Sequence, residues 1–167
     1  MARSLPFQQL LMQQASMQHH PPQQRTPGPA PARSTVGRRT PTVVLADDSI
    51  FQRMMARAVL EAEGYQVLEA ADGREVLDLV RLAHPDLIVM DIAMPSMDGV
   101  TTARRLRTGH GGLARVPIVF LSALGGSGDR DTALAAGGDE YLVKPVSDHE
   151  LLAVVRRYAG TPGEADQ

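Results

Sequence analysis

The sequence predicts an α/β protein built on a five-stranded parallel sheet with helices on both faces. From Thr42 onward, five short apolar segments alternate with five segments whose apolar residues recur with helical spacing. Strict alternation of this kind requires parallel strands joined by right-handed helical crossovers. The third apolar segment, Asp86 to Asp91, runs without interruption up to its final carboxylate and is followed by Pro95 and Gly99. A continuous apolar run between turn signals is typical of a central strand that is covered on both faces.

The five predicted strands and the first helix follow from apolar patterning. The strands cover residues 42–46, 66–70, 86–91, 117–121 and 140–143. The first helix is predicted from Ile50 to Glu63, with Ser49 or Asp48 as its cap and Gly64 as its left-handed stop. Its apolar residues are predicted to share one face, namely Met54, Met55, Ala58, Val59 and Ala62.

The other four helices are predicted from their start signals. Asp72-Gly73 opens the second helix and Asp98-Gly99 opens the third. Residues 129–136 can form the fourth helix. Ser147-Asp148-His149-Glu150 is a capping box, in which serine and glutamate each bind the other's backbone, and it predicts the start of the fifth helix.

Residues 1–40 differ in composition from the rest of the chain. They alternate glutamines with prolines, carry five arginines and contain no acidic residue. Such a segment cannot bury enough apolar surface to offset the entropy of ordering it, so we expect a disordered Gln/Pro-rich basic tail. The predicted domain then covers residues 41–160, and residues 161–167 form a short C-terminal tail.

Composition argues against several classes of function. Without the five arginines of the tail, the chain carries 12 basic and 19 acidic residues, a formal charge of −7 that is a poor match to nucleic acid. Cysteine is absent, which excludes disulfides, thiol nucleophiles and thiolate metal sites. No apolar run approaches the length needed to span a membrane. We therefore expect a cytoplasmic protein that contacts neither nucleic acid nor membrane.

Polar residues follow four of the predicted strands, at the edge where a parallel sheet collects its carboxyl ends. They are Asp47 and Asp48 after the first strand, Asp91 at the third, Ser122 after the fourth and Lys144 after the fifth. Three neighbouring carboxylates repel one another unless a cation compensates, and hard oxygen ligands suit Mg²⁺. A lysine and a hydroxyl beside that ion complete a site for a phosphoryl group, for which an aspartate is a known nucleophile. Asp91 is the candidate nucleophile.

Four motifs in this order resemble one protein family. They are Leu45-Ala46-Asp47-Asp48-Ser49, Met90-Asp91-Ile92-Ala93-Met94-Pro95-Ser96-Met97-Asp98-Gly99, Leu121-Ser122-Ala123 and Tyr141-Leu142-Val143-Lys144-Pro145. From Thr42 to Ala159, the chain resembles the receiver domain of two-component response regulators and is most similar to single-domain, chemotaxis-type (CheY-like) members. The resemblance implies a flavodoxin-like fold with strand order 2-1-3-4-5. We expect a monomer.

The resemblance implies a role for each residue of the acidic cluster. Asp91 resembles the phosphoacceptor and also a metal ligand, Asp48 a direct ligand of Mg²⁺, and Asp47 a ligand that acts through water. The backbone carbonyl of Ala93 is the expected third protein ligand. Mg²⁺ is therefore the expected cofactor.

The resemblance also implies a phosphoryl-binding pair and a switch. Ser122 and Lys144 resemble the pair that grips the phosphoryl group, and Tyr141 occupies the position of the switch aromatic residue. In the family this aromatic side chain rotates inward once Ser122 is drawn towards the phosphoryl group. Without the resemblance, the sequence context of Tyr141 favours an ordinary residue of an amphipathic strand. A cis peptide bond between Lys144 and Pro145 is also implied, although trans is the commoner state of such bonds.

Two departures from the family pattern carry predictions of their own. Gly125-Gly126-Ser127-Gly128 stands where the fourth helix should begin, and glycine costs about 1 kcal/mol per helical position relative to alanine. We therefore expect a frayed helix start. Ala93 and Leu124, two residues after Asp91 and Ser122, cannot orient an attacking water. We hypothesise that the phosphoryl group on Asp91 is long-lived.

Three function classes are compatible with these residues. The preferred one is a stand-alone signalling module, in which Asp91 takes a phosphoryl group from a sensor histidine kinase or phosphotransfer protein and the module then binds an unknown protein target. Its variants are a phosphorelay intermediate and the separated receiver of a hybrid kinase. A phosphatase of the haloacid dehalogenase type would need a second aspartate where the chain has Ala93, and a phosphorylation-independent pseudo-receiver would not need the complete cluster. We expect no enzymatic activity beyond self-phosphorylation and dephosphorylation.

Overall fold

The computed structural model describes residues 39–109 and 115–163, and in these residues five strands alternate with five helices. The strands are β1 Thr42–Ala46, β2 Gln66–Ala70, β3 Leu87–Asp91, β4 Ile118–Ser122 and β5 Glu140–Val143. The helices are α1 Ile50–Ala62, α2 Gly73–Ala83, α3 Gly99–Thr108, α4 Ser127–Ala135 and α5 Asp148–Ala159. Each predicted element is present close to its predicted bounds.

The five strands form one parallel sheet in the order β2-β1-β3-β4-β5. The predicted flavodoxin-like, doubly wound α/β fold is therefore confirmed. The order of winding reverses between β1 and β3, and sheets of this type bind ligands at the carboxyl ends of the strands beside that point. The register places Asp91 beside Leu121 and Ser122 beside Val143, so the polar strand ends converge at one edge.

Successive strand residues point to opposite faces of the sheet, and each face has its own apolar core. One core contains Val44 and Ile88 and is covered by α2, α3 and α4. The other contains Val43 and Val89 and is covered by α1 and α5. Because both faces are covered, every residue of β3 and β4 is buried, which explains their uninterrupted apolar sequences.

Helix α1 packs on the sheet through a face that differs from the predicted one. Leu60 is its buried residue, whereas Met54 and Met55 are 54% and 51% exposed. The predicted apolar face is therefore wrong. Apolar residues surround much of this helix, so its pattern does not define one face. Packing defines the buried face instead, since Leu60 lies in the core that α1 and α5 cover. The Arg53 guanidinium also donates to the backbone carbonyl of Asp47.

The helix ends follow the predicted capping signals. Ser49 caps α1, and the capping box of α5, from Ser147 to Glu150, closes in both directions. Gly64 follows α1 with a φ of 90°, in the left-handed conformation that glycine favours. Helix α4 begins at Ser127, slightly earlier than predicted, and its N-cap Gly126 supplies no side-chain hydrogen bond.

Three further predictions concern the chain ends, one peptide bond and membrane crossing. The Lys144-Pro145 bond is cis, as the resemblance implied. The predicted tail falls outside the described residues over positions 1–38. In the part of the chain that the structure describes, no helix combines the length and apolar character that a membrane crossing requires.

Candidate functional site

Asp47 and Asp91 are the buried carboxylates of the site, with 3% and 7% of their surface exposed. Asp47 directly follows β1, and Asp91 is the last residue of the neighbouring strand β3. Both continue the alternation that points Leu45 and Val89 towards α1 and α5. The two side chains therefore lie on the same side of the sheet, at its carboxyl edge.

Each of these carboxylates has one oxygen held by the backbone two residues further on. Asp47 Oδ1 accepts a hydrogen bond from Ser49 N at 2.8 Å, and Asp91 Oδ1 accepts one from Ala93 N at 2.9 Å. These short turns fix the orientation of both carboxylates. The second oxygen of each side chain is left to face other side chains of the site.

Asp48 joins the buried pair to form an acidic cluster. Carboxylate oxygens of Asp47, Asp48 and Asp91 lie within 4.8 Å of one another. The Asp48 side chain is exposed, and it receives no hydrogen bond from residues 39–109 or 115–163. Three carboxylates around one point are a hard donor set that fits Mg²⁺ rather than a softer metal. The acidic cluster can therefore hold the divalent cation that the sequence predicts.

Lys144 is the only lysine of the 167 residues, and its ammonium lies against the acidic cluster. It donates to Asp91 Oδ2 at 2.5 Å, to Asp47 Oδ2 at 2.7 Å and to Gln52 Oε1 at 2.7 Å. Burial alone would lower the pKa of Lys144, but the hydrogen bonds and charges of the two aspartates outweigh it, so this pKa is raised. The lysine therefore carries its positive charge at neutral pH, directly against the oxygens of two aspartates.

Ser122 and Tyr141 are both buried and both bind the backbone of Leu124. Ser122 Oγ accepts a hydrogen bond from Leu124 N at 3.0 Å. The Tyr141 hydroxyl donates to Leu124 O at 2.6 Å, and its ring is only 3% exposed. The two side chains are thus linked through one residue of the loop between β4 and α4, and a movement of that loop affects both.

The loop after β3 ends at Gly99, the first residue of α3, which packs against the backbone of Asp91. A Cβ atom at this position would lie 2.5 Å from the carbonyl oxygen of Asp91, so a larger residue would displace the loop. Ala93 lies exposed in the same loop. Its carbonyl oxygen accepts no hydrogen bond from the described residues, so it is available to a ligand.

Two residues of the site were not predicted from the sequence. Arg53 fixes the turn between β1 and α1 through its contact with the Asp47 carbonyl, and Gln52 accepts a hydrogen bond from Lys144. The spacing Ser49-x-x-Gln52 is a helix-start signal that favours a capping role for the glutamine. Sequence pattern therefore points away from the role that Gln52 has in the structure.

The arrangement is suited to phosphoryl transfer. A carboxylate oxygen of Asp91 faces an ammonium group, two further carboxylates can hold a cation, and the Ser122 hydroxyl lies at the adjacent strand end. Cations beside a carboxylate nucleophile offset the negative charge that a phosphoryl group brings. The structure thus collects Asp47, Asp48, Asp91, Ser122 and Lys144 at one edge of the sheet.

The comparisons with known proteins agree on one family. Residues 43–156 match the family model of the response regulator receiver domain. The probable transcriptional regulator ycf27 of Cyanophora paradoxa is 41% identical over 114 residues, which cover 68% of this chain and 46% of that protein. The response regulator MprA of Mycolicibacterium vanbaalenii is 40% identical, with 68% and 48% covered. The chain spans about half the length of these curated relatives.

Solved structures share the fold over most of the described residues. The chemotaxis response regulator CheY4 of Vibrio cholerae superposes with a TM-score of 0.68 at 32% identity, covering 72% of this chain and 99% of that one. The receiver domain of the sensor histidine kinase PA1611 from Pseudomonas aeruginosa, solved with a magnesium ion in its active site cleft, has a TM-score of 0.67 at 32% identity, with 74% and 100% covered. With its sheet order, its acidic cluster and a family match over more than half of its length, the chain belongs to the receiver domains of two-component response regulators.

Proposed function

We propose that this chain is a stand-alone receiver that takes a phosphoryl group on Asp91 and signals through changed protein binding. The observation that carries the proposal is the contact between the Asp91 carboxylate and Lys144 inside the acidic cluster. One oxygen of Asp91 is held by the backbone and the other faces the ammonium. A nucleophilic oxygen and the cation that would stabilise the incoming charge are therefore already in contact.

Receiver domains bind Mg²⁺ at an acidic site, and we assign this ion to Asp47, Asp48, Asp91 and the backbone carbonyl of Ala93. Asp48 supports the assignment because its exposed carboxylate has no hydrogen-bond partner among the described residues. In this assignment Asp48, Asp91 and the Ala93 carbonyl bind directly, and Asp47 binds through water. When bound, the ion neutralises negative charge on phosphoryl oxygens.

The proposed reaction moves a phosphoryl group from a phosphohistidine of the donor to Asp91. A carboxylate oxygen attacks phosphorus, the P–N bond breaks with its electron pair on the imidazole nitrogen, and an acyl phosphate forms. Lys144 and Ser122 each donate to a non-bridging phosphoryl oxygen. In dephosphorylation, water attacks phosphorus and releases Asp91 with inorganic phosphate. We propose no enzymatic activity towards any other substrate.

The switch is proposed to run from Ser122 to Tyr141. Both side chains now bind Leu124, so a Ser122 hydroxyl that turns towards a phosphoryl oxygen disturbs a contact shared with Tyr141. Small polar shifts of this kind can move a packed loop between two arrangements. Because the chain has no tryptophan, Tyr141→Trp provides a single emission probe. Tryptophan emission that does not change on phosphorylation would contradict the proposed switch.

The phosphoryl donor is proposed to dock on the exposed apolar start of α1, which borders a cavity that Asp47 and Lys144 also line. Ile50 and Phe51 are 74% and 66% exposed. A cavity of about 480 Å³ lies between this helix and the loop after β5, and Phe51, Met55 and Lys144 are among its lining residues. Receiver domains interact with sensor histidine kinases or phosphotransfer proteins, and an exposed apolar surface that borders Lys144 suits a protein partner of this kind.

The output is proposed to be a protein target rather than nucleic acid. The chain after residue 40 carries a formal charge of −7, which disfavours contact with a polyanion. Several relatives are named transcriptional regulators, and this chain spans about half of their length. We propose a cytoplasmic monomer whose receiver domain covers residues 41–160.

A phosphorelay intermediate, or the separated receiver of a hybrid kinase, is the second candidate function. The observation that favours it is the likeness to the receiver domain of a sensor histidine kinase, PA1611. Such a protein would pass its phosphoryl group on to a phosphotransfer protein instead of binding a target. Mixing the phosphorylated chain with a histidine phosphotransfer domain and measuring loss of the adduct distinguishes the two.

The phosphoryl group is proposed to be long-lived. Ala93 and Leu124 are both exposed beside the site, and neither has a polar side-chain group that could orient an attacking water. Hydrolysis then lacks side-chain assistance from these two positions. The measurement is the decay of the adduct after removal of the donor, and a half-life of seconds would count against this proposal.

The proposed function is tested by incubating the chain with acetyl phosphate and measuring its intact mass. We expect a phosphoryl adduct that requires Mg²⁺, disappears with chelator and is absent in Asp91→Ala. The control is Asp78→Ala, which removes an exposed carboxylate on α2 and should keep the adduct. No adduct on the wild-type chain, also with a phosphohistidine donor, would favour a pseudo-receiver that binds its partners without phosphorylation.

A further inference from the structure

Two helices of this chain begin with the same capping pattern, but only one uses it in the usual way. The pattern is Ser-x-x-Glu/Gln, present as Ser147 to Glu150 at α5 and as Ser49 to Gln52 at α1. At α5 the box is complete, because Glu150 accepts from Ser147 N at 3.0 Å and Ser147 Oγ accepts from Glu150 N at 3.3 Å. The Glu150 side chain therefore stabilises the start of its own helix.

At α1 only one of the two hydrogen bonds of the capping box forms, because the backbone N–H of Ser49 donates to Asp47 and not to Gln52. Ser49 Oγ accepts from Gln52 N at 3.3 Å, as the equivalent atoms do in α5. The N–H of Ser49, however, donates to Asp47 Oδ1 at 2.8 Å. The Gln52 side chain has no capping donor left, and its amide oxygen accepts from Lys144 Nζ at 2.7 Å instead.

The three acceptors of Lys144 differ in what the proposed reaction does to them. Asp91 becomes an acyl phosphate and Asp47 belongs to the cation site, so both carboxylates change partners. Gln52 is neutral and is not part of the acidic cluster. Its hydrogen bond to Lys144 can therefore persist while the other two are exchanged. A long lysine side chain released from both carboxylates would otherwise regain much of its rotamer freedom.

We infer that Gln52 is a positioning residue that holds Lys144 at the phosphoryl site. This inference rests on the proposed function, and Gln52 acts through the lysine, with no contact to the phosphoryl group. The backbone of Gln52 is itself held in place, since the residue lies in the first turn of α1 and its N–H donates to the Ser49 hydroxyl oxygen. Replacement by leucine keeps a side chain of similar size in the helix and removes the amide group, including the oxygen that accepts from Lys144.

The single lysine allows a direct test of this contact. Protein labelled with 15N-lysine contains one side-chain ammonium, so its NMR signal reports Lys144 alone. We expect a sharp signal in the wild type and a signal broadened by proton exchange with water in Gln52→Leu. Gln52→Glu retains an oxygen acceptor and should restore the sharp signal. The deciding signal is that of the phosphorylated chain, in which the two aspartates have changed partners, and an unchanged signal in phosphorylated Gln52→Leu would overturn the inference.

Phosphorylation kinetics separate positioning from helix stability. With acetyl phosphate and Mg²⁺, Gln52→Leu is expected to form the adduct about tenfold more slowly than the wild type, since a misplaced catalytic group loses rate. The matched control Glu150→Leu alters the equivalent residue of α5, and it should lower the melting temperature by about 4 °C while keeping the wild-type rate. Equal rates in wild type and Gln52→Leu would refute the inference. A wild-type chain that forms no adduct would refute the proposed function instead.

Discussion

The two ends of the sheet use the same residue type, aspartate, in different ways. At the amino ends, Asp86 and Asp139 accept hydrogen bonds from backbone N–H groups of neighbouring strands, namely Thr42 N at 2.8 Å and Ile118 N at 2.8 Å. Each also forms an ion pair with an arginine. The backbone partners are part of the sheet itself, so they cannot leave without disturbing the fold.

At the carboxyl ends, Asp47 and Asp91 also have one oxygen held by a backbone N–H. Their other oxygen faces the side chain of Lys144, which can move. Charge is not what separates the two groups, but burial is, since Asp47 and Asp91 are buried whereas Asp86 is half-buried and Asp139 is exposed. What distinguishes Asp47 and Asp91 is that they lie buried beside a third carboxylate, with one oxygen of each facing a partner that a metal ion or a phosphoryl group can replace.

Removing a carboxylate from each end should give the largest contrast. Asp91→Ala is expected to abolish the acetyl phosphate adduct, because it removes the nucleophilic oxygen. Asp86→Ala is expected to form the adduct at the wild-type rate with a lower melting temperature, because Thr42 N loses its acceptor. Intact mass and thermal unfolding measure both effects. If the adduct persists in Asp91→Ala, the phosphoacceptor is another residue, and the contrast between the aspartates at the two ends of the sheet does not hold.

Removing the movable partner should have the next largest effect. In Lys144→Ala, two buried carboxylates lose their cation, and we expect the free energy of unfolding in chelator to fall by about 2 kcal/mol. Saturating Mg²⁺ should recover much of this loss, because it neutralises the same oxygens. Urea unfolding with and without Mg²⁺ measures the difference.

The control for the lysine variant is Arg81→Ala, which removes an exposed cation of α2 and should change stability by less than about 0.5 kcal/mol. If Mg²⁺ stabilises Lys144→Ala no more than it stabilises the wild type, then the lysine and the metal do not share the carboxylates. That result would contradict the idea of an exchangeable partner.

An aspartate with fixed partners should affect stability alone. Asp139→Ala leaves Ile118 N without its acceptor and removes one partner of Arg107, so we expect a loss of about 1–2 kcal/mol. The phosphorylation rate should stay at the wild-type value, because the substitution lies at the opposite end of the sheet. Denaturant unfolding and adduct formation are measured on the same preparation. If Asp139→Ala forms the adduct more slowly and unfolds with unchanged free energy, then Asp139 serves phosphorylation and not stability, which would contradict the contrast between the two ends of the sheet.

The sheet could be predicted from the sequence because its central strands are covered on both faces. Residues 87–91 and 118–122 are buried throughout, and burial on two faces leaves a continuous apolar signal. The rotation of α1 could not be predicted in the same way. Met54 and Leu60 are both apolar, and the one that is buried is set by packing against the sheet and α5, which exists only in the folded chain.

In the site, too, some residues follow from the local sequence pattern, whereas others depend on which groups compete for a hydrogen bond in the folded chain. Asp91 and Lys144 could be predicted because parallel strands bring their carboxyl ends to one edge, whatever the details of packing. Gln52 could not, because its local pattern predicts a cap. The outcome depends on the N–H of Ser49, for which Asp47 and Gln52 compete, and the sequence does not indicate which of them binds it.

Glu150 lies near the same edge as the acidic cluster but has fixed partners, and it gives the smallest predicted effect. The backbone N–H of Ser147, followed by its hydroxyl, lowers the pKa of Glu150 below its ordinary value of 4.5. A lowered pKa means that the charged side chain contributes its stabilisation above pH 4.5 and loses it as the pH falls through the folded-state pKa. Glutamine keeps an acceptor without titrating, so the advantage of the wild type over Glu150→Gln in melting temperature should shrink between about pH 6 and pH 3. Calorimetry across this range measures it, and a constant difference would mean that the capping box of α5 does not depend on charge.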